Sequence, residues 1–166
     1  MCGIFGLLLN RPLTVADIAL GRAGTAALAH RGPDGDGEWI DADAGVYFGH
    51  RRLSIIDLGD GGSQPMRRDD SVLTYNGELY NYRALRTALA QEGVNCSSQS
   101  DTEVLLRALT QWGDGAFDRF DGMFALALWD GRHATLAVDP FGEKPLYYAA
   151  TLDGVYFSSE IAPLAN

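Results

Sequence analysis

Short apolar runs occupy both ends of the chain, and their spacing predicts β-strands. The first run, residues 1–9, is apolar throughout apart from glycine, as expected of a strand buried in a sheet. Asp-Gly pairs at 130–131 and 153–154 separate later runs, which is typical of antiparallel hairpins. The further predicted strands cover residues 38–40, 46–50, 53–56, 72–75, 123–129, 133–138, 146–150 and 155–158.

Helical spacing of apolar residues falls between these strand-rich ends. Thr14 is a suitable N-cap for a helix that runs to about residue 29. Residues 81–92 carry an apolar stripe, and Ser100 followed by Glu103 has capping-box spacing before a helix over residues 101–112. Helices between antiparallel strands indicate an α+β fold. No glycine-rich phosphate-binding motif opens any of these helices, so nucleotide binding within this chain is not expected.

Length, composition and charge narrow the class of protein. The chain has 166 residues, of which 46% are hydrophobic, and this fits a single globular domain. No apolar run approaches the ~20 residues of a membrane helix, and none follows a basic leader, so we expect a cytoplasmic protein without membrane contact. The net charge of −9, with no cluster of lysine or arginine, argues against a nucleic-acid partner.

The two cysteines differ in how strongly their positions indicate a catalytic role. Cys96 reads as a small, partly buried residue, and the wide separation of the two cysteines does not predict a metal site. Cys2 directly follows Met1. If Met1 is removed, the α-amine of Cys2 lies beside its own thiol and, with a pKa of roughly 7.7–8, can act as a general base. Position alone leaves open that Cys2 is only a small apolar residue at the start of a strand.

Seven motifs occur in one order along the chain, and together they carry a resemblance to a known family. The motifs are CGIFG (2–6), HRGPD (30–34), RLSIID (52–57), YNGELYN (75–81), SDTE (100–103), GMFA (122–125) and FGEKPLYY (141–148). With these motifs, the chain resembles the glutamine-hydrolysing domain of asparagine-synthetase-type class II amidotransferases from Cys2 to about Ile161. Other amidotransferase branches share the first motif and differ in the next two.

The resemblance implies a fold and a nucleophile. The fold is that of N-terminal-nucleophile hydrolases, a four-layer αββα sandwich with two antiparallel sheets, here as one domain over residues 1–166. Cys2 is implied as the catalytic nucleophile, with Asn76 and Gly77 forming the oxyanion hole that stabilises negative charge in the transition state. The pair Asn76-Gly77 is also a strong hairpin-turn signal, and this second interpretation stays open.

The resemblance also implies how glutamine is bound. Arg52 matches the position that binds the α-carboxylate, while Glu78 and Asp101 match positions that hold the α-ammonium. The backbone of Leu53 and Ile55 is implied to line the substrate pocket. From the residues alone, Arg52 could be a surface arginine and Asp101 an acidic residue that only stabilises the start of a helix.

Three further residues match positions near an ammonia passage between domains. They are His30, Arg31 and Met123. The alternative for His30 is a loop histidine bonded to the backbone, and the alternative for Met123 is core packing. The family's ATP-using synthetase half has no counterpart in this sequence, so we expect no cofactor here and ATP with magnesium only in that partner. The partner is either in the same longer protein, which we favour, or a separate chain.

One stretch departs from the family pattern and leaves the ammonia acceptor open. The family usually places basic residues on both sides of the aspartate in a late strand, whereas this chain has Val138-Asp139-Pro140. Aspartate, a sugar carboxylate or a natural-product acid therefore all remain candidate acceptors. A catalytically silent glutamine-binding domain is the main alternative to an enzyme, and homodimerisation is left open.

Overall fold

Nine strands and three α-helices are present in the computed structural model, which describes residues 1–54 and 60–165. The sheet orders are β2-β3-β1-β9-β8 and β4-β5-β6-β7, with antiparallel pairing between neighbouring strands. The elements are β1 (Gly3–Leu9), α1 (Val15–Ala27), β2 (Gly35–Asp41), β3 (Val46–Arg52), β4 (Met66–Arg68), β5 (Ser71–Leu79), α2 (Tyr82–Gln91), α3 (Asp101–Trp112), β6 (Gly122–Trp129), β7 (Ala134–Val138), β8 (Tyr147–Thr151) and β9 (Gly154–Ser158).

Three apolar clusters separate the structure into four layers. One cluster joins the outer face of the five-stranded sheet, through Phe5 and Leu7, to the end of α1 at Leu28. A second fills the space between the sheets, and a third packs the four-stranded sheet against α2 and α3. The order of layers is therefore helix, sheet, sheet, helices, which confirms the predicted αββα sandwich. The cluster between the sheets consists of Ile4, Val46, Phe48, Val72, Ala127 and Phe157.

The strand β1 is apolar along its whole length because both of its faces are buried. Phe5 and Leu7 point towards α1, whereas Ile4 belongs to the cluster between the sheets. Alternate residues of a strand point to opposite faces, so a strand covered on both sides needs apolar residues at every position. This explains why the sequence reads as an unbroken run rather than an alternation.

The predicted helices form, but one cap differs. The side chain of Thr14 caps α1 and forms a capping box with Asp17. At the start of α3, Ser100 accepts a hydrogen bond from the Thr102 N–H. The predicted capping box with Glu103 is wrong, because the Glu103 carboxylate instead accepts hydrogen bonds from a preceding turn and from β4.

The predicted strand over residues 53–56 is wrong at Leu53 and Ser54, which lie beyond the end of β3 in irregular backbone. Residues 55–56 lie outside the described residues. The hairpin interpretation of Asn76-Gly77 is also wrong, because both residues lie inside β5 and pair with Ala125 and Phe124 of β6. Strand pairing with β6 thus overrides the local turn preference of the Asn-Gly pair.

The two sheets are also joined by a polar contact. His50 of β3 is fully buried, and its Nδ1 lies 3.2 Å from the hydroxyl of Thr74 in β5. Burial, with the nearby Arg52 charge, lowers the pKa of His50 to about 3, so the imidazole is neutral at physiological pH. No helix in the described part of the chain is long and apolar enough to span a membrane.

Candidate active site

Cys2 lies immediately before β1, at one end of the space between the sheets. Its thiol donates to the Leu53 carbonyl oxygen at 3.6 Å and accepts from the Leu53 N–H at 3.4 Å. Burial raises the pKa of the Cys2 thiol, although the Leu53 backbone and nearby positive charge partly offset this. At neutral pH the resting side chain is therefore a thiol, and a base is needed to make it a nucleophile.

The oxyanion-hole candidates come from β5. Asn76 is buried, and its amide nitrogen Nδ2 has no hydrogen-bond partner among the described residues. A buried N–H without an acceptor is costly, by roughly 1–3 kcal/mol, so such a group in a cleft indicates that an acceptor binds there. A side chain on Gly77 would overlap the carbonyl oxygen of Met123, so the close approach of β5 to β6 requires glycine.

Asp101, the first residue of α3, is held in a fixed orientation. Its Oδ2 accepts hydrogen bonds from the Tyr75 hydroxyl at 3.0 Å and from the Leu79 N–H at 3.1 Å. Burial raises the pKa of Asp101, while these hydrogen bonds act in the opposite direction. Asp101 lines the cleft, where its carboxylate can attract a cation. Asp101 therefore begins α3 and also lines the cleft.

Arg52 ends β3 and reaches the same cleft. The guanidinium passes so close to Gly62 that a side chain there would come within 2.8 Å of Nη2. Asp34 fixes the backbone that follows, because its N–H donates to the Arg52 carbonyl and its carboxylate accepts from the Ser54 N–H at 2.8 Å. Arg52 is half-buried and brings a positive charge to the cleft that Asp101 also lines.

The cleft brings together eight of the eleven predicted site residues. One of the eleven, Ile55, lies outside the described residues. The other two, His30 and Arg31, do not line the cleft in the described part of the chain. Both side chains contact Glu160, and Arg31 also donates to the Cys2 carbonyl oxygen. The predicted residues that line the cleft are Cys2, Arg52, Leu53, Asn76, Gly77, Glu78, Asp101 and Met123.

Sequence reasoning missed several polar residues of this cleft. Gln64 accepts a hydrogen bond from the Tyr75 N–H and lies 3.4 Å from the Thr102 hydroxyl, which links β5 to α3. Lys144 is buried, and its ammonium lies 3.0 Å from the Met1 sulfur. Lysine is rarely buried, and Lys144 is the chain's sole lysine, but neither fact places it in the cleft that Cys2 lines before the fold is known.

No group of three or more potential metal ligands occurs among the histidine, cysteine, aspartate and glutamate residues of the described segments. The cleft instead carries a thiol, an unpaired amide donor, a guanidinium and carboxylates. This set can bind a small zwitterion and attack a carbonyl group. Such chemistry matches what the sequence motifs imply for Cys2 and its neighbours.

Comparison with protein families gives one domain-level match. The family model described as a glutamine amidotransferase domain matches residues 1–166. Two solved structures share the fold with TM-scores of 0.82, at 22% and 23% identity, and each alignment covers 99% of this chain and 43% of the other chain. They are the glutamine phosphoribosylpyrophosphate amidotransferase from B. subtilis, complexed with ADP and GMP, and an allosteric regulatory enzyme of purine biosynthesis.

Similar sequences among curated proteins include glutamine-hydrolysing asparagine synthetases. Asparagine synthetase 1 of Bacillus subtilis is 43% identical over 96% of this chain and 26% of its own length. A putative asparagine synthetase of Mycobacterium bovis is 43% identical over 80% of the chain and 22% of its own length. Asparagine synthetase 2 of rice is 37% identical over the whole chain and 28% of its own length. The chain thus spans about a quarter of the length of these relatives.

Proposed function

The chain belongs to the glutamine amidotransferase domain family, and from this premise we propose that it hydrolyses L-glutamine to glutamate and ammonia with Cys2 as the nucleophile. The observation that carries the proposal is the buried Asn76 amide, whose Nδ2 has no partner among the described residues and lines the same cleft as the Cys2 thiol. A preorganised N–H donor beside a nucleophile stabilises the oxyanion that forms when a carboxamide is attacked.

The charges of the cleft fit the two ends of an amino acid. The Arg52 guanidinium can bind an α-carboxylate through two parallel hydrogen bonds, and Asp101 with Glu78 can bind the α-ammonium. Glutamine held in this way would extend its side chain towards Cys2 and Asn76. Two opposite charges also discriminate against simple amides, which lack both.

The reaction needs a base for the half-buried thiol, and the α-amine of Cys2 provides it once Met1 is removed. The amine takes the thiol proton, the sulfur attacks the glutamine side-chain carbonyl, and Asn76 with the Gly77 N–H binds the resulting oxyanion. The carbon–nitrogen bond then breaks as the amine returns its proton to departing ammonia. Water hydrolyses the γ-glutamyl thioester to glutamate and regenerates the thiol.

Ammonia released in the cleft would serve a synthetase partner. The glutamine-hydrolysing asparagine synthetases found to be similar support an ATP-dependent amidation of a carboxylate as the coupled reaction. We propose that the partner binds ATP and magnesium, while this domain uses neither. Val138 and Pro140 differ from the family pattern and leave the identity of the carboxylate open.

Glutamate release by the purified protein, with and without Cys2→Ala, tests the proposal. We expect the Met1-processed protein to release glutamate and the variant to release none above the uncatalysed background. Because the substitution removes the nucleophile but not Arg52 or Asp101, the variant should still bind glutamine in a calorimeter. Glutamate release by Cys2→Ala at more than a trace of the native rate would disprove the role of Cys2.

A further inference from the structure

Cys2 is anchored by a side chain as well as by strand pairing. Within β1, Gly3 pairs with Arg51 of β3, but pairing with β9 begins only at Phe5. The Arg31 guanidinium compensates for this, because its Nε donates to the Cys2 carbonyl oxygen at 2.9 Å. A chain end without such a contact tends to fray.

Glu160 in turn holds Arg31 in place. The Glu160 carboxylate oxygen Oε1 accepts from Arg31 Nη1 at 2.9 Å and lies 2.9 Å from His30 Nε2. The Arg31 side chain is only 11% exposed, and Glu160 is 32% exposed. Arg31 and then His30 lower the pKa of Glu160, so the carboxylate is charged at neutral pH.

The backbone around Glu160 is itself fixed to the nucleophile strand. Ser159 exchanges two hydrogen bonds with Ile4: its hydroxyl accepts from the Ile4 N–H at 3.0 Å, and its own N–H donates to the Ile4 carbonyl at 2.9 Å. The Glu160 N–H donates to the Ser158 hydroxyl. Glu160 therefore directly follows a residue that is hydrogen-bonded to Ile4, two positions along the chain from Cys2.

Gly3 leaves the space that this arrangement needs. A β-carbon on Gly3 would lie 3.3 Å from Cδ of Arg31 and 2.9 Å from Cβ of Leu28. Because glycine lacks that atom, the Arg31 side chain can lie against the strand and reach the Cys2 carbonyl.

We propose that Glu160 is a positioning residue for the nucleophile and acts through Arg31, an inference that rests on the proposed function. The α-amine of Cys2 is bonded to the α-carbon and the thiol is one β-carbon away from it, so the orientation of the Cys2 backbone affects the positions of nucleophile and base together. Glu160 fixes the Arg31 guanidinium, and Arg31 fixes the Cys2 carbonyl. Loss of the Glu160 charge would leave the thiol and the α-amine of Cys2 chemically intact but would change their orientation.

Glu160→Gln tests this in steady-state glutaminase assays of the full, Met1-processed chain. We expect kcat to fall roughly tenfold, since an ångström of misplacement can cost up to about 100-fold, while the KM for glutamine changes less than twofold. The matched control is Glu38→Gln, which also breaks a carboxylate–arginine pair on the same sheet, with Arg22, away from the cleft. The control should keep the native kcat.

A double-mutant cycle tests whether Glu160 acts through Arg31. Once Arg31→Gln has removed the connection, adding Glu160→Gln should lower kcat by less than a further twofold. Equal losses in both backgrounds would overturn the proposed connection. Arg31→Gln alone gives a second test if Glu160→Gln fails to fold, since it should produce the same loss of kcat with the native KM.

Thiol alkylation separates this proposal from the proposed function. Iodoacetamide does not need a glutamine site, and Cys96 serves as an internal reference thiol in the same molecule. We expect Glu160→Gln to raise the Cys2-to-Cys96 alkylation ratio severalfold, because a released N-terminus further exposes the half-buried Cys2 thiol. An unchanged ratio would overturn the positioning role, whereas a raised ratio in a protein that never hydrolyses glutamine would refute the proposed function alone.

Discussion

The buried side-chain amide of Asn76 has no hydrogen-bond partner for its Nδ2 among the described residues. The Asp101 carboxylate of the same cleft, in contrast, accepts hydrogen bonds from Tyr75 and Leu79. The difference is informative because folding normally pairs buried donors within the protein. An unpaired donor in the cleft that Cys2 lines supports the proposed role of Asn76 in binding the substrate oxyanion. Asp101, by contrast, is held in a fixed orientation by Tyr75 and Leu79.

Asn76→Ala should therefore lower kcat for glutamine hydrolysis by roughly 10²–10³, which corresponds to about 3–4 kcal/mol of lost oxyanion stabilisation. The KM should change little, because the donor acts mainly on charge that develops in the transition state. Steady-state kinetics with a glutamate-release assay would measure both constants. A kcat within threefold of native would assign Asn76 to strand packing alone.

The residues of this site were accessible from the sequence only through family motifs. Those motifs include the eight predicted residues that line the cleft, but the contacts that orient them were not predictable locally. Gln64 meets Tyr75 and Thr102 across 11 and 38 positions of sequence, and Lys144 lies 143 positions from Met1. Such contacts depend on how the sheets stack, and a local pattern of apolar and polar residues does not predict that stacking.

Among the elements, helices with strong end signals were predicted well, whereas strands were predicted less well. The helix α3 has the predicted bounds, and Thr14 caps α1 as expected. The sequence suggested a turn at Asn76-Gly77, but β5 continues through it because β6 pairs along its whole length. Likewise β4 was missed, since three residues that include two arginines carry no apolar pattern.

The arginines of β4 show the same limit of local reasoning. Taken as a pair, Arg67 and Arg68 read as solvated surface. In the structure, Arg68 donates to the fully buried Glu103 of α3 at 3.1 Å. Burial alone would raise the pKa of Glu103, but hydrogen bonds from Ser98, Ser97 and Arg68 outweigh it and lower the pKa to about 2. This ion pair joins β4 to the helical layer.

Gly77→Ala should destabilise the β5–β6 pair, because the added methyl group would overlap the Met123 carbonyl oxygen. We expect the free energy of unfolding to fall by about 1–3 kcal/mol, as in other overpacked positions. Urea denaturation followed by circular dichroism would measure the change. The matched control is Gly115→Ala, where the β-carbon would meet no described atom within 4 Å. Equal stability of both variants would contradict the close approach.

On the scale of the whole molecule, both sheets contribute to the candidate active site, with Arg52 at the end of β3 and Asn76 in β5. The α+β class followed from the pattern of helices and hairpins, but the four layers came only from the family resemblance. Stacking depends on which face of each strand is buried, and β1 is apolar on both faces. The three apolar clusters and the buried His50–Thr74 contact between sheets show how the layers meet.

His50 should make the stability of the protein sensitive to mild acid. Its pKa is about 3 in the folded state and close to 6.5 when unfolded, so the unfolded chain binds the extra proton below pH 6.5. Its contribution is fully present above pH 6.5 and declines as the pH falls towards 3, by at most about 1.4 kcal/mol per unit. Thermal unfolding at pH 7.5 and pH 5 would measure this decline.

His50→Gln provides the comparison, because glutamine cannot titrate in this range. The stability difference between the native protein and the variant should become smaller as the pH falls from 7.5 to 5. Parallel stability curves for the two proteins would contradict the burial of a neutral imidazole between the sheets.

The most direct measurement of the central claim is the site of covalent labelling by a glutamine-like diazoketone, which alkylates an activated thiol. The Met1-processed protein should take up a single adduct, mapped by peptide mass spectrometry to Cys2, and excess glutamine should prevent it while Cys96 stays unmodified. An adduct on Cys96, labelling that glutamine does not slow, or a processed protein that takes no label would contradict Cys2 as the nucleophile of a glutaminase site.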